Sequence, residues 1–227
     1  MHNFDAPKSS SDSTDATNPS LSGAASASIA ATDEAKATAT ATADQLQPCV
    51  LVLASGRGAR FAASGGTVHK LHAPLADSTV LQHTLKAVRA SGLPWHVEDA
   101  GHPGMGDSIA AAVGACTDAS GWLVLPGDLP LISPSTLRQM ADALFDCAVA
   151  VPVHAGERGH PVAFAASCRP ALLALTGEQG AAEIVRQHAA AGQVKWVDVF
   201  DVGTVTDVDT LEDLERAERL LAQRNIP

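Results

Sequence analysis

Two glycines and two arginines follow the first long apolar run of the chain. Gly56 and Gly58 are separated by one residue, and Arg57 and Arg60 are interleaved with them directly after the β-favouring run 49–54. Glycine lets the backbone bring its N–H groups close to an anion, and arginine adds a forked donor that is always charged. The spacing therefore predicts a phosphate-binding loop at the end of a buried strand.

Two common phosphate-binding patterns do not fit this loop. A Walker loop requires Gly-Lys followed by Ser or Thr, whereas residues 65–70 read Gly-Gly-Thr-Val-His-Lys. A dinucleotide-binding loop requires a third glycine three residues after Gly58, and that position is Phe61. The loop is therefore of a different kind, and it depends on its arginines and on the following lysine.

Two acidic motifs also fall at the ends of predicted strands. They are Gly127-Asp128, directly after the apolar run 122–125, and Asp207-x-Asp209 near the end of the chain. Each motif alone is also typical of a solvated turn. In a doubly wound sheet, however, ligands bind at the carboxyl ends of the strands. The shared position of the glycine loop and the acidic motifs favours a single ligand site.

Short apolar runs alternate with segments of helical periodicity from residue 48 onward. This alternation predicts an α/β fold with a doubly wound, mostly parallel sheet. Asp107 or Ser108 is the expected N-cap of the second helix. The predicted strands are 49–54, 95–99, 122–125, 148–153, 160–165 and 194–199, and the predicted helices are 79–90, 107–116, 134–145, 183–191 and 210–223.

The first part of the chain has a different composition. Residues 1–47 are dominated by Ala, Ser, Thr and Asp, with almost no large apolar side chain after Phe4. Such a segment cannot bury enough apolar surface to offset the entropy lost on ordering, and it lacks the features of a secretory signal or an organellar transit peptide. We therefore expect a disordered, low-complexity tail at 1–47 and one folded domain at 48–227.

Charge and cysteine usage narrow the functional classes. The formal net charge of -10 argues against a general nucleic-acid-binding protein, because phosphate contact is driven by Lys and Arg. The four cysteines show no C-x-x-C pairing, and buried reduced thiols suit a reducing cytoplasm. No apolar run approaches the roughly 20 residues of a membrane-spanning helix. We expect a soluble, cytoplasmic protein without nucleic-acid or membrane partners.

Several motifs together resemble one enzyme family. The loop 53–61 with Lys70 is similar to the signature loop of nucleotidyltransferases that act on sugar phosphates and on molybdopterin. As a set, the motifs resemble the molybdenum cofactor cytidylyltransferases and the molybdopterin-guanine-dinucleotide-type NTP transferases over about residues 49–221. The resemblance implies a Rossmann-like nucleotidyltransferase fold of the GT-A type. The further matches are 104–109 (GMGDSI), 125–130 (LPGDLP), 159–162 (GHPV) and 207–214 (DVDTLEDL).

The resemblance also implies a reaction. A phosphate of molybdopterin would attack the α-phosphorus of an NTP, with CTP favoured, and pyrophosphate would leave. Arg60, Lys70 and Asp128 would be catalytic. Asp128 and Asp209 would hold Mg²⁺, which prefers one or two carboxylates together with phosphate oxygens and waters. A molybdoenzyme or its chaperone would be a transient partner. The implied binding residues are Ala54, Ser55, Gly56, Arg57, Gly58, Gly106, Ser108 and His160, of which His160 belongs to the acceptor-side segment.

The chain departs from the family at two places, and alternatives stay open. The region between the first helix and Gly104 is shorter, so we expect a slightly trimmed sheet, and the segment 177–182 lacks the family's arginine. In addition, Phe61 is followed by Ala62 where the family has glycine. A catalytically weak carrier of nucleotide or molybdopterin and a transferase acting on a sugar phosphate are alternative functions. A Rossmann oxidoreductase is another, although Phe61 argues against it. Structural roles are also open for Arg60 as an ion-pair partner, Ser108 as a helix cap and His160 as a packing residue.

Overall fold

The computed structural model describes residues 46–224, so the predicted tail lies outside the described residues except for its last two. The strands are β1 (Cys49–Leu53), β2 (Pro74–Leu75), β3 (Ser78–Thr79), β4 (Trp95–Glu98), β5 (Gly121–Pro126), β6 (Val149–His154), β7 (Glu157–Arg158), β8 (Val162–Ala165) and β9 (Val194–Asp198). The helices are α1 (Ala59–Ala63), α2 (Val80–Ser91), α3 (Met105–Ala115), α4 (Pro134–Ala143), α5 (Arg169–Leu173), α6 (Ala182–Ala190) and α7 (Leu211–Arg224). Short 3₁₀ turns cover Lys70–His72, Ala166–Cys168 and Val202–Thr204.

One mixed sheet forms the centre of the fold. Its order is β4-β1-β5-β8-β6, with β9 pairing the other edge of β6 and the short β7 pairing the end of β6. β1 is parallel to β4 and β5, and β9 is parallel to β6. β8 runs antiparallel to both of its neighbours. The predicted α/β fold with a doubly wound, mostly parallel sheet is confirmed, with one reversed strand inside it.

β1 is buried on both faces, which explains its continuous apolar sequence. Val50 and Val52 belong to the core cluster that also contains residues of α2 and α4. Leu51 and Leu53 belong to the cluster formed with α3, α5 and α6. The end of β1 is therefore fixed by packing from both sides, and this end is where the glycine loop begins.

A third core cluster positions the acidic motif near the C terminus. It contains Phe61 of α1, Ala217 of α7, and Val208, which precedes α7 in the chain. Each of the three is at most 1% exposed. The Val208 N–H also donates to the backbone oxygen of Asp128 at 3.0 Å. Because Val208 points into this cluster, the residues on either side of it are directed away from it, towards Asp128.

The hairpin formed by β6, β7 and β8 is interrupted at residues 159–161. β7 pairs with the end of β6 and β8 pairs with its beginning, so the predicted strand at 160–165 starts later than expected, at Val162. Gly159 packs so closely on the chain at Thr204 that a Cβ there would lie 2.4 Å from the Thr204 oxygen. His160 donates its N–H to that same oxygen at 2.9 Å.

None of the helices within residues 46–224 is long and apolar enough to cross a membrane.

Candidate active site

A cleft of about 410 Å³ lies at the carboxyl ends of β1 and β5. Its walls are the glycine loop 55–60, Lys70, the start of α3, and the two aspartates Asp128 and Asp209. Ala54 does not line the cleft, since it continues the sheet by donating its N–H to the Glu98 oxygen at 2.8 Å. The cleft occupies the position at which doubly wound sheets bind ligands.

The two glycines of the loop differ in their surroundings. Gly58 precedes α1 in the left-handed conformation, with φ 61°, which disfavours any residue with a side chain. A Cβ at Gly58 would also meet the side chains of His69 and Lys70 at 3.4 and 3.5 Å. A Cβ at Gly56 would meet nothing within 4 Å. The loop is therefore packed at Gly58 and open at Gly56.

A chain of ion pairs crosses the floor of the cleft. The Lys70 ammonium lies 2.5 Å from Asp128 Oδ2 and 2.7 Å from Asp209 Oδ1. Arg60 Nη1 lies 2.5 Å from the other oxygen of Asp209. Burial lowers the pKa of Lys70, but the charges and hydrogen bonds of the two aspartates raise it above its ordinary value. Lys70 is therefore an ammonium at neutral pH, and the four predicted residues lie in one group.

The two aspartates fit a divalent cation of the magnesium type. Asp128 Oδ1 is buried and has no hydrogen-bond partner. The carboxylates of Asp128 and Asp209 are neighbours because both contact the Lys70 ammonium. Within residues 46–224 no set of three or more His, Cys, Asp or Glu side chains is arranged as a metal site. Mg²⁺ needs only one or two carboxylates when phosphate oxygens and waters complete its shell. The orphan oxygen of Asp128 is therefore suited to a metal that arrives with a phosphate ligand.

Asp207 and His160 lie near Asp128 without lining the cleft. Burial raises the pKa of Asp207, and the neighbouring carboxylates of Asp128, Asp209 and Asp213 raise it further. Burial lowers the pKa of His160 despite the opposing charge of Asp128, and its Nδ1 is buried without a partner. His160 is therefore a neutral side chain beside the acidic group.

Asp213 has a structural role. Its carboxylate accepts the N–H of Thr210 at 2.9 Å, and the Thr210 hydroxyl accepts the N–H of Asp213 at 3.2 Å. These reciprocal bonds form a capping box at the start of α7. The box holds the chain directly after Asp209.

The start of α3 differs from the prediction. Its N-cap is Gly104, whereas Asp107 lies in the first turn and accepts the N–H of Gly177 at 2.8 Å. The expectation that Asp107 or Ser108 caps the helix was therefore wrong, because Asp107 bonds to another segment. Ser108 is 2% exposed, lines the cleft, and lies 2.8 Å from the Ser55 hydroxyl. This contact joins α3 to the glycine loop.

Gly106 packs against another segment and does not line the cleft. Its N–H donates to the Gly177 oxygen at 2.8 Å, and a Cβ at Gly106 would lie 2.6 Å from the Gln179 oxygen. This packing brings Glu178 to the wall of the cleft. The beginning of the segment 177–182, which lacks the arginine expected from the resemblance, therefore lies at the start of α3.

Two glycines of α3 predict opposite effects of the same substitution. Gly106→Ala is expected to lower the free energy of unfolding by roughly 1–3 kcal/mol, because the new methyl group meets rigid backbone. Gly114→Ala should raise it by up to about 1 kcal/mol, because Gly114 is an exposed helical position with open space around it. Urea unfolding of both variants measures the difference. The same sign for both would contradict the packing of 176–179 on α3.

A buried glutamate supports the segment that enters the cleft at His102. Glu98, at the end of β4, accepts hydrogen bonds from His102 Nε2 at 2.9 Å and from the Ala100 N–H at 3.2 Å. The His96 Nε2 lies 3.4 Å from its other oxygen. Burial raises the pKa of Glu98, but these three contacts lower it below the ordinary glutamate value.

The lowered pKa of Glu98 gives a pH-dependent prediction. The ionised carboxylate stabilises the folded protein above the ordinary glutamate pKa of about 4.3, and this stabilisation is lost as the pH falls through the lowered value. Glu98→Gln should therefore lower the free energy of unfolding by about 1 kcal/mol at pH 7, with a difference that disappears in acid. Urea unfolding between pH 7 and pH 3 measures it, with Glu183→Gln on the exposed face of α6 as the control. A difference independent of pH would contradict the assignment.

Parts of this chain are similar to known proteins. Residues 86–192 match the family model of the MobA-like NTP transferase domain. The match contains Asp128 and His160 and does not include the glycine loop, Lys70 or Asp209. The purine catabolism protein PucB of Bacillus subtilis is 26% identical over 180 residues, covering 70% of this chain and 86% of PucB. The bifunctional protein GlmU of Coxiella burnetii is 32% identical over 115 residues, 41% of this chain, and the chain spans 25% of its length.

Solved structures show the same fold. Rv0371c from Mycobacterium tuberculosis is 25% identical, with a TM-score of 0.62 over 76% of this chain and 98% of that one. A nucleotidyl transferase from Methanothermobacter thermautotrophicus is 22% identical, with a TM-score of 0.67 over 79% and 99%. Molybdopterin-guanine dinucleotide biosynthesis protein A from Archaeoglobus fulgidus is 17% identical, with a TM-score of 0.51 over 77% and 99%. A second structure of Rv0371c is a complex with manganese, 24% identical, with a TM-score of 0.58 over 78% and 100%.

The fold of this chain is therefore the one seen in a solved nucleotidyl transferase. Within this fold, residues 86–192 are the part of the chain that matches the MobA-like NTP transferase domain.

Sequence reasoning missed three residues of the site. His69 contacts the glycine loop, and His102 and Glu178 line the cleft. Only His69 had a signal in the sequence, since it directly precedes Lys70. The other two reach the cleft through the packing of separate segments, which the sequence does not reveal.

Proposed function

We propose that the protein transfers a nucleoside monophosphate from an NTP, with CTP as the favoured donor, to the phosphate of molybdopterin in a reaction that requires Mg²⁺ and releases pyrophosphate. The observation that carries this proposal is the group formed by Lys70, Asp128 and Asp209 below a glycine and arginine loop. A partly buried ammonium held by two carboxylates, one of which has an oxygen without a hydrogen-bond partner, combines cationic contacts for phosphate with a site for a divalent cation.

In this proposal the cationic groups of the site bind phosphate, and the carboxylates bind the divalent cation. The N–H groups of the loop and the side chains of Arg57, Arg60 and Lys70 bind the triphosphate and neutralise the charge that develops on pyrophosphate. Asp128 and Asp209 would hold the divalent cation, which when bound neutralises phosphate oxygens. An oxygen of the acceptor phosphate forms the new bond to the α-phosphorus as the bond to pyrophosphate breaks. No protein nucleophile is needed, so alignment and charge neutralisation account for catalysis.

The charge of the site favours a substrate that brings its own metal. Lys70 occupies one oxygen of each aspartate, and Arg60 occupies the second oxygen of Asp209. A triphosphate offers both cations a stronger anionic partner, which would free the carboxylate oxygens for the metal. The manganese complex of Rv0371c supports a divalent cation in this fold, and the protein from Archaeoglobus fulgidus supports molybdopterin as the acceptor.

A pyrophosphate-release assay tests the proposal. CTP, GTP, ATP and UTP are each supplied with and without molybdopterin and with Mg²⁺, Mn²⁺ or no divalent cation. We expect release to require both molybdopterin and a divalent cation and to be fastest with CTP.

The other outcomes separate the alternatives. Release that requires a sugar phosphate in place of molybdopterin would overturn the acceptor and keep the reaction class. Binding of CTP or molybdopterin without release under any condition would overturn catalysis in favour of a carrier.

A further inference from the structure

His69 connects the glycine loop 55–60 to the 3₁₀ turn 70–72 through one imidazole ring. Its Nε2 lies 2.6 Å from the carbonyl oxygen of Gly56. Its Nδ1 accepts the N–H of Leu71 at 3.4 Å. The tautomer with its proton on Nε2 satisfies both contacts. Because Leu71 belongs to the 3₁₀ turn that carries Lys70, the ring connects the glycine loop to that turn.

The contact with Gly56 sets the direction of the next N–H group. A peptide bond is planar and trans, so the carbonyl oxygen of Gly56 and the N–H of Arg57 point in opposite directions. Gly56, Arg57 and Gly58 line the cleft, whereas His69 does not. With the carbonyl turned towards His69, the N–H of Arg57 is turned towards the cleft.

The N–H groups of the loop are available to a ligand. Within residues 46–224, the N–H groups of Gly56, Arg57 and Gly58 donate to no protein acceptor. The space around the Cβ position of Gly56 is open, so no close contact on that side restrains the residue. Among the described residues, the hydrogen bond from His69 is the one that the carbonyl of this peptide accepts.

We propose that His69 is a positioning residue that keeps the Gly56 carbonyl away from the cleft, so that the Arg57 N–H faces the triphosphate. This inference rests on the proposed function. Without the ring, the peptide between Gly56 and Arg57 can rotate and present its carbonyl oxygen to the anion. That orientation replaces an attractive dipole with a repulsive one.

Binding of CTP and of inorganic tripolyphosphate to the full chain tests the role of His69. His69→Ala should weaken both by roughly tenfold, the effect of about one hydrogen bond to a charged group. His69→Gln should restore most of the affinity, because its amide donates a hydrogen bond from a similar position. His154→Ala is the matched control, since His154 Nδ1 lies 3.0 Å from the Val199 oxygen in a comparable contact outside the cleft. Its affinities should equal those of the wild type.

The amide resonance of Arg57 gives a readout that a general loss of stability would not produce. Tripolyphosphate should shift this ¹⁵N–¹H resonance in the wild type and in His69→Gln, and shift it much less in His69→Ala. Wild-type affinity in His69→Ala, or equal weakness of the alanine and glutamine variants, would overturn the positioning role. A wild-type chain that releases pyrophosphate alongside an unaffected His69→Ala would overturn this inference alone. A wild-type chain that binds neither CTP nor tripolyphosphate would overturn the proposed function as well.

Discussion

Asp128→Asn is expected to reduce pyrophosphate release by at least about 10³-fold while leaving the fold intact. The substitution removes one of the two negative charges that hold Lys70 and would hold the divalent cation. It keeps the shape of the side chain, and the backbone oxygen of residue 128 still accepts the Val208 N–H. A pyrophosphate assay with saturating CTP measures the activity, and circular dichroism with thermal melting measures the fold.

An exposed aspartate provides the matched control for this experiment. Asp146 pairs with Lys195 at the surface, and its side chain is 76% exposed. Asp146→Asn should therefore leave pyrophosphate release unchanged. Wild-type turnover in Asp128→Asn would remove Asp128 from the metal site and from the catalytic group.

Lys70→Met is expected to change both activity and the response to metal. Loss of the ammonium should lower kcat/KM for the NTP by about 10²-fold or more, because the triphosphate loses a partly buried cation. It also leaves Asp128 and Asp209 close together without their shared partner, which should cost on the order of 3 kcal/mol of stability. Mg²⁺ or Mn²⁺ should then raise the melting temperature of the variant more than that of the wild type, since the cation takes over the neutralising role.

Lys195 tests whether these effects depend on the buried site. Its ion pair with Asp146 is exposed, so Lys195→Met should change stability by at most about 0.5 kcal/mol and should not respond to divalent cations. Thermal melts with and without millimolar Mg²⁺ or Mn²⁺ compare the two variants. If Lys70→Met has the melting temperature of the wild type and divalent cations do not change it, Asp128 and Asp209 do not hold a metal.

Most of the regular elements could be predicted because their apolar patterns were strong. The run at residue 49 is buried on both faces, and the periodic helices α2, α4 and α7 lie within two residues of their predicted bounds. Short elements were missed. α1 and α5 have 5 residues each, and β2 and β3 have 2 residues each, too few to show a period. The direction of β8 was also not predicted, because an apolar run has the same pattern in either direction.

The sequence was informative about the site where residue chemistry and strand ends coincided. This reasoning singled out Arg60, Lys70, Asp128 and Asp209, which the fold places in one ion-paired group. It did not find the exact partners. Arg60 pairs with Asp209, as the structural alternative had it, and nothing in the spacing links the two residues.

Two residues that were predicted to contact the ligand, Gly106 and Ala54, do not line the cleft for a common physical reason. Gly106 was selected as a ligand contact, but its missing side chain makes room for the backbone at 176–179. Ala54 was selected with its loop, but its N–H completes the sheet. Both residues lie beside the cleft in sequence and serve packing in the fold. Only tertiary contacts separate these two roles.

The reversed direction of β8 changes which end of the strand lies at the edge of the sheet that carries the cleft. In the parallel strands β1 and β5, the chain reaches the cleft as it leaves the sheet. In β8 it reaches the same edge as it enters, through the hairpin that carries His160. The tip of that hairpin, at Ala155 and Gly156, has positive φ angles and is exposed. Insertions at this exposed tip would lengthen the edge of the sheet that carries the cleft without interrupting the glycine loop.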